Sequence, residues 1–230
     1  RRGKIMTRET LDRQILEIFD EIVRLCSMVE HAILNAVGAL KQRDLDAARQ
    51  IYANDQQIND KRFEIENNAL IMIATQQPMA RDLRVLASVL DIASELERMG
   101  DYAKGIARIT ILSGGEPPIK PLIDIPIMAK VTVDMLHRSV KAFVDADETS
   151  ALAIPKEDDQ VDDLYNQIYR DLLTIMTSDA STIDRATHLL WVAHNLERTA
   201  DRVTNICERT VFVSTGKLIE IDSSDDESRD

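Results

Sequence analysis

Glycine and proline are scarce in this 230-residue chain, 7 and 6 in number, too few to punctuate a turn-rich β architecture. No alternating apolar–polar pattern persists either, so the strand signature is missing. Cys26 and Cys207 are the only cysteines. Two thiols so far apart make no disulfide framework, and on apolar helical faces they read as small buried hydrophobes. No uninterrupted run of about 18 apolar residues offers a bilayer span. Arg1-Arg2-Gly3-Lys4 is basic, but no apolar stretch follows it as in a secretory leader. Excess positive charge is lacking too. The net charge of −12 opposes nucleic-acid binding, which needs a basic footprint, and opposes unaided docking on an anionic membrane. A cytoplasmic protein is expected, without a nucleic-acid partner and meeting membranes only through other proteins.

A repeated signature is present. Leu96-Glu97-Arg98-x-x-Asp101 recurs as Leu196-Glu197-Arg198-x-x-Asp201, an offset of 100 residues. Upstream the offset is 103: Val37, Asp44, Ala48, Asp55, Ile58 and Ile65 match Val140, Asp147, Ala151, Asp158, Val161 and Ile168. The change falls between Ile73 and Glu97, where a turn between helices is the natural place to lose three residues. A unit of this length is too long for a solenoid repeat and reads as a duplicated small domain.

Helical spacing of apolar residues fills each copy. The first helix is expected from Thr7 to Lys41. Asp44 is placed as N-cap of a second helix ending near Thr75, and a third spans Ala80 to Leu112. Four prolines, Pro117, Pro118, Pro121 and Pro126, cluster between the copies. Pro126 suits the first turn of a fourth helix. A fifth begins after Asp147 and is kinked or broken at Pro155. For the sixth, Ser181 and Thr182 are the cap candidates. The fold class is therefore all-α: two tandem, internally duplicated three-helix bundles, six long antiparallel helices in all. The expected divisions are 7–112 for the first bundle, 113–125 for the linker, 126–213 for the second bundle and 214–230 for an acidic, disordered tail.

The signature carboxylates lie at i and i+4, neighbours on one helix face, where like charges repel. At 100° per residue, Glu97 and Asp101 fall at the edge of the apolar stripe, and Glu197, Asp201 and Glu208 share the corresponding flank. On the neighbouring helix Asp55 and Asn59 take the inner flank, as do Asp158 and Asp162 in the second copy. Facing oxygen-rich groups of this kind suit a hard or borderline cation. A solvated acidic flank is the bland alternative, and His194, near Asp201 on the same flank, is a further candidate ligand.

Glu97-Arg98-Met99-Gly100-Asp101-Tyr102-Ala103, Leu196-Glu197-Arg198-Thr199-Ala200-Asp201 and Ala80-Arg81-Asp82-Leu83-Arg84 resemble the signatures of the PhoU family, with helix order and spacing matching from about Thr7 to Val213. The resemblance implies tandem three-helix bundles without catalysis. It implies a regulator that works with the phosphate ABC transporter and its ATPase and with a sensor histidine kinase, repressing phosphate-starvation genes when phosphate is ample. A homodimer is the expected assembly. It also implies a multinuclear metal cluster (Fe, Mn, Mg or Zn) on Glu97, Asp101, Glu197 and Asp201, with Asp158 and Asp162 as partners. Asn59 departs from that pattern, because it supplies a carbonyl but no charge.

Two other classes remain. A ferritin-like oxidase or metal store wants Glu-x-x-His motifs, yet Gly100 and Ala200 stand at those positions and His194-x-x-Glu197 runs in reverse. A plain helical scaffold needs no site at all.

Overall fold

The computed structural model describes residues 2–221, and every regular element among them is helical. The α-helices are α1 (Arg2–Gln42), α2 (Leu45–Gln76), α3 (Arg81–Leu112), α4 (Asp124–Asp145), α5 (Glu148–Ala153), α6 (Asp158–Ser178) and α7 (Ile183–Thr215). Helices α1–α3 form one three-helix bundle and α4–α7 the other. In the second, α5, a 3-10 turn at Ile154–Glu157 and α6 together replace the single helix α2. Pro155 has no N–H to continue the ladder, and the expected kink is a complete tightened turn. Residues 222–230, the greater part of the expected disordered tail, lie outside the described residues. Residues 217–221 fold back instead, with Ile219 and Ile221 against the core.

Local chemistry explains the helix starts. Asp44 accepts from the N–H groups of Asp46 (3.1 Å) and Ala47 (2.9 Å), satisfying donors that have no partner within the first turn. Asp147 does the same for Ser150 at 3.1 Å. The sixth long helix differs from expectation. Thr182 makes no side-chain cap, and the capping oxygen comes from Asp179, which accepts from Ser181 N–H at 2.9 Å on the preceding 3-10 turn. The three-residue difference between copies also sits elsewhere than in the turn. Both connections, 77–80 and 179–182, are four residues long. The surplus lies in the adjoining helix ends, α2 ending later and α3 starting earlier than their counterparts.

The apolar stripes meet in one core that crosses both bundles. Helix α3 packs on α1, α2 and α7, and α1 packs on α4 as well as on its own bundle. A duplicated sequence suggests two separately folded halves, but here each half completes the other's burial. Phe19 of α1 meets Phe143 of α4 edge to face, ring centroids 5.5 Å apart. At the α3–α7 seam a Cβ on Gly105 would lie 3.0 Å from Asn195 Nδ2, so glycine permits the close approach. Within the first bundle, Gly100 accommodates Ile58 in the same way, a Cβ there meeting Ile58 at 3.1 Å.

One helix, over Glu9–Gln42, is long and apolar enough to cross a membrane by length and composition. In this fold its apolar stripe, including Ile22, Leu25, Val29 and Ile33, lies within the protein core.

Candidate functional site

The flank positions read from helical geometry are those the fold adopts. Asp55 on α2 is 5% exposed and Asp158 on α6 2% exposed, while Asp60, Asp159 and Asp163 face solvent. Asn59, Glu97, Asp101, Asp162, Glu197, Asp201 and Glu208 are half-buried. The two bundles then treat their carboxylates differently.

In the first bundle a chain cation sits among them. Lys104 Nζ donates to Asp55 Oδ2 at 2.7 Å and lies 4.0 Å from Asp101 Oδ1. It also lies 5.4 Å from the centroid of the Tyr52 ring, within the range of an attractive cation–π contact. Asn59 Nδ2 donates to Asp55 Oδ2 at 3.2 Å, so its amide nitrogen, not its carbonyl, is turned to that carboxylate. Arg98 lies 3.8 Å from both Glu97 and Asp101. It reaches Glu97 although adjacent helical positions do not share a face, because its long side chain folds back. Arg62 holds Glu66 at 2.9 Å. The Lys104 ammonium is held above its usual range, chiefly by the Asp55 hydrogen bond. Burial, then Asp101, raises the Glu97 carboxyl despite the opposing pull of Arg98 and Arg62.

In the second bundle Thr204, 6% exposed, stands where the first has Lys104. Tyr165 stands in place of Arg62, Asp162 in place of Asn59, and His194 in place of Ser94. His194 Nδ1 lies 3.1 Å from Glu197 Oε2, and its ring packs 6.4 Å from that of Tyr165. Arg198 pairs with Asp201 at 3.2 Å. Burial, followed by the Glu197 charge, raises the Tyr165 hydroxyl. Glu208 is engaged elsewhere. Its Oε1 accepts the Ile221 N–H at 2.8 Å, which anchors the returning segment two helical turns beyond Asp201.

Tyr102, although inside the signature, works at the seam between bundles. Arg202 Nε donates to its hydroxyl at 3.0 Å and Arg202 Nη1 pairs with Glu95 at 2.7 Å. Arg209 reaches Asp91 at 3.1 Å across the same seam. Both thiols are buried: desolvation pushes Cys207 up to about 12, and burial with Glu30 nearby raises Cys26 further.

As a fit test for a cation, the two copies diverge. In the first copy the Lys104 ammonium already lies among the carboxylates. The second has two carboxylates on α6, buried Asp158 and half-buried Asp162, and two half-buried ones on α7, Glu197 and Asp201, oxygen donors of the kind that hard cations take. Among the described residues no three acidic, thiol or imidazole groups are already drawn into a cage, so binding would have to gather them. The Glu-x-x-His positions of a di-metal oxidase are filled by the buried Gly100 and Ala200. Lys104 stands outside the signature pattern, yet it contacts the flank carboxylates. The available signal was its place seven residues after Glu97 and three after Asp101 on one face, opposite a threonine in the second copy.

Comparison with known proteins completes the site. The family model described as the PhoU domain matches twice, over residues 22–110 and 125–210. The chain is similar to a phosphate-specific transport system accessory protein PhoU homolog of Clostridium acetobutylicum, 36% identical over 94% of this chain and 99% of the relative. It is similar also to the homolog named in the same way from Aquifex aeolicus, 35% identical over 91% of this chain and 95% of that one. Among solved structures, the phosphate transport system regulatory protein PhoU from Streptococcus pneumoniae superposes with a TM-score of 0.83 at 29% identity, covering 91% of this chain and 99% of that one. PhoU from Pseudomonas aeruginosa gives 0.75 at 26% identity, covering 92% and 99%.

Proposed function

Because this chain belongs to the PhoU family, we propose that it is a non-enzymatic, cytoplasmic regulator of phosphate uptake and phosphate-starvation signalling. It couples a phosphate ABC transporter, through its ATPase, to a sensor histidine kinase, and represses starvation genes when phosphate is ample. One observation carries the reading: two PhoU domains fill the chain, and relatives named as phosphate-specific transport accessory proteins align over nearly their whole length. A regulator of this kind acts by presenting surfaces. Exposed Trp191, Met79 and Ile123 offer apolar contacts for partners or for a second copy of the chain.

The metal part of the reading is placed on the second bundle. Asp158 and Asp162 from α6, with Glu197 and Asp201 from α7, would hold Fe, Mn, Mg or Zn. A bound cation would supply the positive charge that ties the two flanks together. His194 and Arg198 orient Glu197 and Asp201, and the buried position of Asp158 keeps water from competing on that side.

The test is replacement. In a bacterium lacking its own PhoU, a starvation-controlled reporter is on even in phosphate-rich medium. Expression of this chain is expected to switch it off, and tagged chain is expected to retain the transporter ATPase. A reporter that stays on despite folded, abundant protein, with no ATPase retained, would refute the proposal.

A further inference from the structure

We propose that Lys104 is a tethered cation that takes the place of a metal ion in the first bundle, so the two copies of one ancestral cation site are filled by different charges. The claim for the first bundle stands on its own geometry; only the contrast with a metal-filled second bundle rests on the reading above.

The Lys104 ammonium bridges α2 and α3, 2.7 Å from buried Asp55 and 4.0 Å from Asp101. Its stem runs along the α3 flank, beside a cavity of about 190 Å³ lined in part by Asp55, Ile58, Gly100 and Lys104. An ammonium is a compact point charge with three donors. It can satisfy the Asp55 carboxylate that a divalent ion would otherwise bridge. A second cation entering there would face its repulsion.

Three differences between the copies shift the charge toward positive, while a fourth, Glu66 for Tyr169, offsets the gain of Arg62. Relative to the second copy, the first has Asn59 for Asp162, Lys104 for Thr204 and Arg62 for Tyr165. One removes a negative charge and two add positive ones. Arg62 is paired with Glu66 at 2.9 Å, so Asp55, Glu97 and Asp101 are left with Lys104 and Arg98, which approach these carboxylates to 4.0 Å or less. What remains is a smaller negative charge than Asp158, Asp162, Glu197 and Asp201 with Arg198 present in the second copy. Lys104 is therefore a selectivity-determining residue: it closes the first copy to metal and holds α2 to α3 without one.

The experiment uses the full chain and manganese as the probe. Bound manganese per chain and thermal unfolding with and without manganese are measured for wild type, Asp55→Asn, Lys104→Met, and Lys104→Thr with Asn59→Asp, which restores the second copy's residues. Asp55→Asn is expected to leave the metal content of wild type unchanged. The restored variant is expected to bind at least one more manganese per chain, and its midpoint to rise by roughly 5–10 °C further than wild type at manganese a hundredfold above Kd. Adding Asp55→Asn should abolish the gain. Lys104→Met should unfold earlier without metal and recover part of the loss with it. Lys120→Met, which breaks an ion pair of 2.5 Å to Asp171 elsewhere, should lose stability without gaining metal response. A restored variant that folds but binds no more manganese than wild type would overturn the proposal. So would loss of manganese from Asp55→Asn alone. Wild type without manganese would retire the second-bundle site, while a gain in the restored variant would still uphold the role of Lys104.

Discussion

Phe143→Ala tests whether the two bundles are one cooperative unit. Phe143 belongs to the second bundle, is 1% exposed, and meets Phe19 of the first bundle at 5.5 Å with planes at 81°. Truncating a buried phenylalanine costs about 3–5 kcal/mol, the transfer of the ring plus the void it leaves. About 0.5–1.5 kcal/mol beyond area belongs to an edge-to-face pair. For a chain of this size each kcal/mol lowers the midpoint by roughly 2–4 °C, so a fall of roughly 6–20 °C is expected. Because the core is continuous across the seam, calorimetry should show one transition moving as a whole. Phe19→Ala alone and in combination completes a double-mutant cycle, with a coupling of about 0.5–1.5 kcal/mol expected for the ring pair. Two resolved transitions, one of them unmoved, would refute the single-unit reasoning. A fall below about 3 °C would mean that the cavity collapses and the site is not tightly packed.

Glu97→Gln should stabilise the protein at neutral pH and lose that advantage in acid. The native carboxyl is raised by burial and by Asp101, so the folded state holds its proton more tightly than the unfolded chain. Its ionisation cost is absent below the ordinary glutamate range near 4.5 and grows as pH rises through the raised native value. Chemical denaturation of both proteins across pH checks this, and an advantage that grows toward low pH would contradict it. Gly100→Ala combined with Ile58→Val reproduces the Ala200 and Val161 pair of the second copy. Alanine gains about 1 kcal/mol of helix propensity but meets Ile58 at 3.1 Å. The double variant is expected to be more stable than the sum of the single changes, and strict additivity in denaturant midpoints would count against the contact.

Much of this protein is legible in one dimension, for specific reasons. The 3.6-residue periodicity must be written into any helix that buries one face, so α1–α4 and α7 can be read directly from the spacing of their apolar residues. Asp44 and Asp147 declare helix starts because a short acceptor just before an apolar run has few other uses. The same 100° turn places Asp55, Asp158, Glu97 and Glu197 on inner flanks. The repeat declares the duplication itself. All of these are local or periodic properties, and a chain carries them without a partner.

What only the tertiary structure decided depends on contacts between residues far apart in the chain. No periodicity says that α1 packs on α4 and α3 on α7, because an apolar stripe specifies burial but not the surface that covers it. Tyr102 lies within the signature and Glu208 shares a face with it, yet their neighbours are Arg202 from the other bundle and the returning Ile221. Lys104 looks like a solvated residue on an acidic flank until the approach of α2 brings Asp55 within 2.7 Å of its ammonium. Charge is a property of the residue, but whether that charge is already answered is a property of the distance, and distance across the bundle is set by packing.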